Sequence, residues 1–212
     1  MANSPPYRFI TNKDIQEESN DSPFYYATQG NACFNAEEMK LLRDLADKEA
    51  QPFVVDRERN SANGGGDKES NATHNDRRSH GVWLGQDKYK WVYDRVWPIV
   101  LAVNKNYKVN IEFFEIAQIA YYDEKDSGHF DWHSDTGPTA MRRKLSISIP
   151  LSDPSEYEGG EIQLNAGGKL LAPAQVQGKL IIFPSWVVHR VTPVTKGRRY
   201  SMVLWIHGAR WT

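Results

Sequence analysis

From residue 111 to residue 207 the chain is written in short apolar runs, and no other feature restricts its fold as tightly. IEFFEIAQIAYY, RKLSISIPL, GGEIQL, GKLLAP, GKLIIFP, WVVHRV and RRYSMVLWIHG are rich in β-branched and aromatic residues, and several alternate. Gly, Pro, Asn and Asp separate them, which is the signature of strands joined by tight turns. LNAGGKL at 164–170 carries a hairpin-turn signal. Many short strands with no helical period between them predict an antiparallel sandwich or a jelly-roll barrel.

The N-terminal half reads differently. Residues 1–30 are a Pro-rich, polar lead-in. FNAEEMKLLRDLADKEAQP then has a helical period, with Met39, Leu42, Leu45 and Ala46 on one face. Asn35 and Glu38 form a capping-box pattern at its start, and Pro52 marks its end. PFVVD at 52–56 predicts a short strand. A second helix is expected over 87–104, with Tyr89, Val92, Tyr93, Val96, Val100 and Val103 on its apolar face. Pro98 should kink or interrupt that helix. Residues 57–81 are polar and Gly-rich, and a loop of that length is either a plain surface loop or a lid. The chain is therefore expected to be one α+β domain, mainly β. Residues 1–110 give helical support and the polar loop, and 111–208 give the barrel core.

Charge and cysteine content exclude several function classes. Lys+Arg 26 against Asp+Glu 27 leaves a net charge of -1, which argues against a general electrostatic grip on nucleic acid. A single cysteine, Cys33, excludes an intramolecular disulfide and a Cys-rich zinc site and fits a reducing compartment. The N-terminus has no apolar signal region, and no run approaches the length of a membrane span, so a cytoplasmic protein without membrane contact is expected.

Within the strand-rich half, HFDWHSDTG at 129–137 places His133 and Asp135 two positions apart. On an extended segment, side chains at i and i+2 face the same way with Cα atoms about 6–7 Å apart. Both then reach one ion, with Ser134 turned away. A third ligand must come from a neighbouring strand. His189, which closes the apolar run FPSWVVHRV and precedes a turn, is the best placed. His74 and His80 lie in the polar loop, His207 near the terminus, and His129 four residues before His133, a poor spacing for a shared ion on a strand. Two His and one carboxylate suit non-haem Fe(II) oxygenases, and they also suit zinc hydrolases. A second feature is GRRYS at 197–201. Alternation puts Arg199, Ser201 and Val203 on one face and Arg198 and Tyr200 on the other. An inward arginine with a hydroxyl two residues on is an anion clamp.

Three ordered blocks, YDEKDSGHFDWHSD, RKLSISIPLSDPSEYEGGE and FPSWVVHRVTPVTKGRRYSMVLWI, together resemble the Fe(II)/2-oxoglutarate dioxygenases of the prolyl 4-hydroxylase superfamily. The likeness is to the bacterial and viral PKHD-type hydroxylases. It covers roughly 110–208, and Arg77-Arg78-Ser79 extends it weakly upstream. The resemblance implies a double-stranded β-helix core. It implies Fe(II) held by His133, Asp135 and His189, with 2-oxoglutarate and O2 as cosubstrates and ascorbate as an accessory reductant. It gives Arg199, helped by Ser201, the distal carboxylate of 2-oxoglutarate, and makes Tyr122 a lining residue of that pocket, with Tyr121 as the fallback. Pro150 departs from the family pattern, and proline inside a strand implies an edge or a bulge. Trp132, Trp186 and Trp205 are candidate walls of the pocket. The implied reaction is hydroxylation of a substrate C–H bond with release of succinate and CO2. Peptidyl proline leads as substrate, ahead of free amino acids and other small molecules. Loop 57–81 and the segment 157–161 are the expected selectivity elements. The rival classes are a nucleic-acid demethylase, a non-catalytic cupin-like binding module and a zinc hydrolase. The demethylase branch typically carries a second arginine six residues after the anchor, where this chain has Trp205.

Overall fold

A computed structural model describes residues 24–53, 77–137 and 140–209. The strands are β1 (Tyr26–Ala27), β2 (Gln51–Phe53), β3 (Arg77–Leu84), β4 (Phe113–Phe114), β5 (Ala117–Asp123), β6 (His129–His133), β7 (Arg143–Pro150), β8 (Tyr157–Gly159), β9 (Ile162–Ala166), β10 (Lys169–Leu171), β11 (Ile181–Pro184), β12 (Val188–Val191) and β13 (Val194–His207). Two helices, α1 (Ala36–Glu49) and α2 (Lys90–Tyr107), precede most of them. All strand pairings are antiparallel, in the order β1-β11-β7-β13-β5-β3-β6-β12-β9-β10. The curled sheet is the expected mainly-β jelly roll.

The turn from one wall of the roll to the other is made by β3. Its C-terminal part, His80 to Leu84, pairs with β5, while Arg77 and Arg78 pair with Phe130 and His129 of β6. This corrects the expectation of a polar loop through residue 81 and adds a long strand to the helical support expected before residue 110. The stretch RRSHGVWL looks loop-like because this strand alternates polar residues with a glycine. Gly81 is required there, since a Cβ would sit 2.1 Å from the Phe53 ring of the paired strand β2. Residues 57–76 of the proposed loop, including His74, and residues 54–56 of the proposed strand lie outside the described residues, as does most of the N-terminal lead-in. The described end of that lead-in contributes β1.

The main wall reverses the usual placing of apolar side chains. On β7, β13 and β5, Leu145, Ile147, Ile149, Met202, Leu204, Ile206 and Ile119 are fully buried and belong to one cluster with Leu42, Ala46, Val92, Val96 and Val100 of the helices. The cluster lies between the wall and the helices, and each such side chain contributes about 1.5–3 kcal/mol by leaving water. The alternate residues, Gln118, Ser146, Ser148, Arg199 and Ser201, are buried on the opposite face, inside the roll. The fold thus keeps its largest hydrophobic cluster between wall and helices, and on the inner face places buried polar residues among smaller apolar clusters around Phe183 and Tyr122.

Local signals explain the helices. Asn35 accepts from the Glu38 N–H and Glu38 reaches back to the Asn35 N–H, completing the capping box of α1. Helix α2 runs from Lys90 to Tyr107 through Pro98 without interruption. Pro98 is exposed, so the helix carbonyl it leaves without a donor faces water and the expected break is avoided. Gly167 and Gly168, both at positive φ, turn β9 into β10. Pro150 is neither on an edge strand nor at a bulge: it ends the inner strand β7 opposite Ser201. At a strand end the missing N–H costs the ladder one bond only.

Candidate metal and anion site

Strands β6 and β12 pair with His189 directly opposite His133, so the fold brings both imidazoles to one side of the roll. Asp135 follows β6 by two residues, and its backbone N–H donates to the Ser185 carbonyl at 3.0 Å. One ligand atom from each of the three residues lies within 4.8 Å of the others. His133 Nε2 stands 3.8 Å from Asp135 Oδ1, and His189 Nε2 3.6 Å from Asp135 Oδ2. Both Nδ1 atoms are bonded to backbone carbonyls, His133 to Asp131 at 2.7 Å and His189 to Val187 at 2.9 Å. That arrangement places the proton on Nδ1 and turns both Nε2 lone pairs toward the carboxylate. Phe130 stacks on His133 and Phe183 lies edge-on to His189, which holds the rings in place.

Electrostatics favour the protonation states a cation needs. Burial and the neighbouring His189 push the His133 imidazolium down to about 3, against the opposing pull of Asp135. Burial alone would raise the Asp135 carboxyl. His189, His133 and the Ser146 hydroxyl outweigh it and hold the group below the usual carboxylate range. The buried Trp205 indole Nε1 has no partner in hydrogen-bond geometry, yet it faces this carboxylate closely enough to act in the same direction. Two imidazoles that turn Nε2 toward one carboxylate fit a first-row divalent ion such as Fe(II) or Zn(II).

The same cleft holds Arg199. Its side chain is 1% exposed, and Tyr122, 3% exposed, lies beneath it with the guanidinium carbon 5.5 Å from the ring centre. Arg199 Nε donates to Gln175 Oε1 at 2.9 Å and Nη1 donates to Ser201 Oγ at 3.1 Å. Nη2 is buried and has no hydrogen-bond partner among the described residues. A buried guanidinium with an unsatisfied donor and no carboxylate beside it fits an anionic ligand. Gly160 makes room for it: a Cβ there would stand 2.8 Å from Arg199 Cδ. The segment 157–161, expected to govern selectivity, thus also buttresses the anchor.

Among the described residues, the other three histidines are engaged elsewhere. His80 stacks on Tyr121, on the helix side of the sheet, and His207 bonds Glu115 at 2.7 Å. His129 bonds the Ser127 carbonyl and stands outside the three-residue cluster. Tyr122, not Tyr121, lines the cleft. Of the three tryptophans, Trp205 lines it, Trp132 lies under Arg190, and Trp186 is 52% exposed against Phe24. Arg198 pairs with Asp123 and Asp47 on the other face, as a salt-bridge residue. Sequence reasoning missed Ser146, Gln118 and Gln175. The alternation S-I-S-I carried a signal for Ser146, whereas Gln175 sits in an irregular segment with no periodicity to mark it. A roomier hollow of about 500 Å³, floored by Tyr93, Trp97, Phe113 and Phe114, holds none of the candidate ligands.

Comparison with known proteins agrees with this geometry. Residues 117–207 match the family model of the 2OG-Fe(II) oxygenase superfamily. A PKHD-type hydroxylase of Pseudomonas fluorescens is 29% identical over 143 residues, covering 63% of this chain and 60% of that protein. A PKHD-type hydroxylase of Hyphomonas neptunium is 40% identical over 73 residues, covering 34% of this chain and 33% of that protein. The chain thus aligns with three fifths or less of the length of these curated relatives. Among solved structures, a prolyl-4-hydroxylase of Pseudomonas putida superposes with a TM-score of 0.61 at 20% identity, covering 88% of this chain and 93% of that one. A prolyl hydroxylase of Trichoplax adhaerens, in complex with a hypoxia inducible factor oxygen degradation domain peptide fragment, superposes with a TM-score of 0.67 at 16% identity over 94% of both chains.

Proposed function

From the match of residues 117–207 to the family model of the 2OG-Fe(II) oxygenase superfamily, we propose that the protein is an Fe(II)- and 2-oxoglutarate-dependent hydroxylase. The observation that carries the proposal is the cleft itself, which joins the His133, Asp135 and His189 cluster to a buried arginine with an unpaired donor. His133, Asp135 and His189 would hold Fe(II), which when bound supplies the activation of O2 as 2-oxoglutarate is converted to succinate and CO2. Arg199 and Ser201 bind the far carboxylate of 2-oxoglutarate and orient the molecule along the cleft, with Tyr122 packing against its chain. Tyr122, Phe130, Ile162, Phe183 and Val191 wall the cleft and exclude water from the reacting end. One oxygen atom enters a substrate C–H bond as hydroxyl.

Peptidyl proline leads as substrate, supported by the prolyl hydroxylase folds this chain resembles, one of them solved with a peptide. Small-molecule and free amino-acid hydroxylation is the second reading. A zinc hydrolase has no use for Arg199, and a silent binding module has none for a preset metal cluster. Ascorbate serves only as an accessory reductant. Among the described residues no helix is long and apolar enough to cross a membrane. The test is succinate release from 2-oxoglutarate with Fe(II) under air, together with mass spectrometry of candidate proteins for a gain of one oxygen. Succinate formation that requires both His133 and Arg199 supports the proposal. Wild-type protein with bound Fe(II) and 2-oxoglutarate that forms no succinate with any candidate substrate refutes it.

A further inference from the structure

Asp135 is held by more than its backbone. Ser146 Oγ lies 2.6 Å from Asp135 Oδ2 and 3.0 Å from Ser185 Oγ. Both serines are 0% exposed. An ionised carboxylate can only accept, so the Ser146 hydroxyl donates its one proton to Oδ2, the shorter of its two contacts, with Ser185 Oγ packed beside it at 3.0 Å. The three side chains form one buried polar cluster. Its members come from three segments that the backbone also ties together. Ser185 N–H donates to the Lys144 carbonyl and Asp135 N–H to the Ser185 carbonyl, each at 3.0 Å.

Nothing in the packing of β7 calls for a hydroxyl at this position. Ser146 points into the roll between Trp205 and Phe183 of the flanking strands, where an alanine would also fit. What a hydroxyl adds is control over one carboxylate oxygen. Oδ2 accepts from Ser146 and also lies 3.6 Å from His189 Nε2, while Oδ1 faces His133 Nε2 at 3.8 Å.

We propose that Ser146, backed by Ser185, is a positioning residue of the metal site: it engages Oδ2 of Asp135 and leaves Oδ1 as the oxygen presented to the ion. The inference rests on the reading of His133, Asp135 and His189 as a divalent-cation site and assigns a further residue to it. Holding the carboxylate by one oxygen would leave more of a bound ion's coordination open to 2-oxoglutarate and O2. Without the hydroxyl, Asp135 is free to turn about its last bond and offer both oxygens.

Co(II) is the probe, because its visible absorption reports coordination number as well as binding. Titrations of metal-free wild type, Ser146→Ala, Ser146→Thr, Ser185→Ala and His189→Ala are compared, with thermal unfolding of each metal-free protein. Ser146→Ala weakens Co(II) binding about 10–100-fold, the usual cost of losing a partner of a metal ligand. It also lowers the intensity of the visible bands as the second oxygen joins the ion. Ser146→Thr, which keeps the hydroxyl, retains near-wild-type affinity, and Ser185→Ala weakens binding less than Ser146→Ala. A purely structural role predicts instead a less stable metal-free protein with unchanged affinity. Ser146→Ala affinity within twofold of wild type with an unchanged spectrum overturns this inference alone, as does Ser146→Thr binding as weak as Ser146→Ala. If Ser146→Ala does not fold, an undiminished affinity in Ser185→Ala overturns it. Wild type that binds no Co(II), or that loses nothing in His189→Ala, overturns the metal-site reading and this inference with it.

Discussion

Replacing Arg199 by methionine removes a charge from a buried site while keeping most of the side chain's length. The guanidinium is 1% exposed, Gln175 and Ser201 fix two of its nitrogens, and Nη2 is left for the ligand. A carboxylate at Nη2 forms a buried, hydrogen-bonded charge pair, and truncating the guanidinium partner of such a pair costs about 3–4 kcal/mol. At about 1.4 kcal/mol per tenfold, Arg199→Met raises the dissociation constant for 2-oxoglutarate roughly 10²–10³-fold. The assay is thermal unfolding with saturating Mn(II), with and without 2-oxoglutarate at a hundred times the wild-type dissociation constant. Wild type gains about 2.7 kcal/mol at that concentration. For a chain of this size that is an upward shift of about 5–11 °C. The variant gains under about 0.5 kcal/mol and shifts by about 2 °C or less. An Arg199→Met protein that shifts as far as wild type refutes the anchor assignment.

Other perturbations reach different parts of the account. Gly160→Ala puts a methyl 2.8 Å from Arg199 Cδ at a residue with φ +63, so it should raise the 2-oxoglutarate KM without removing a charge, while Co(II) affinity stays unchanged. Asn35→Ala breaks the capping box of α1 and should cost about 1 kcal/mol in urea unfolding, with no change in cosubstrate binding. Glu115 gives a pH signature. Burial raises its carboxyl, but hydrogen bonds from Arg143 and His207 outweigh that and hold it below the usual range. A carboxyl depressed in the folded state stabilises the protein above its unfolded pKa, near 4.3. That contribution is lost as pH falls through the lower folded value. Glu115→Gln should therefore lower stability at neutral pH and flatten the acid limb of the stability profile, and a profile parallel to wild type would contradict the pairing.

Much of this was legible in the sequence because alternation carries direction. R-R-Y-S-M-V-L-W sorts itself into an inward Arg199 and Ser201 and an outward Tyr200 and Met202, and the register of β13 with β5 and β7 follows that sorting. His133, Asp135 and His189 could be grouped because two lie on one extended segment and the third closes an apolar run. Other features depend on contacts between distant segments. Arg77–Leu84 was hidden because a strand lining a polar interior looks like a loop, and Gly81 in it answers to Phe53 rather than to a turn. Gln175 meets Arg199 across 24 residues of chain, with no local pattern to announce it. Ser146 has Asp135 and Ser185 beside its hydroxyl, whereas Ser148 has neither, a difference no one-dimensional pattern records.

The most direct test of the central claim is calorimetric titration of 2-oxoglutarate into the protein with and without Mn(II). One 2-oxoglutarate per chain should bind, tightly only when the metal is present; His133→Ala should abolish that metal-dependent binding and Arg199→Met weaken it roughly 10²–10³-fold. Binding of equal strength without metal, or metal-dependent binding that survives both substitutions, would contradict it.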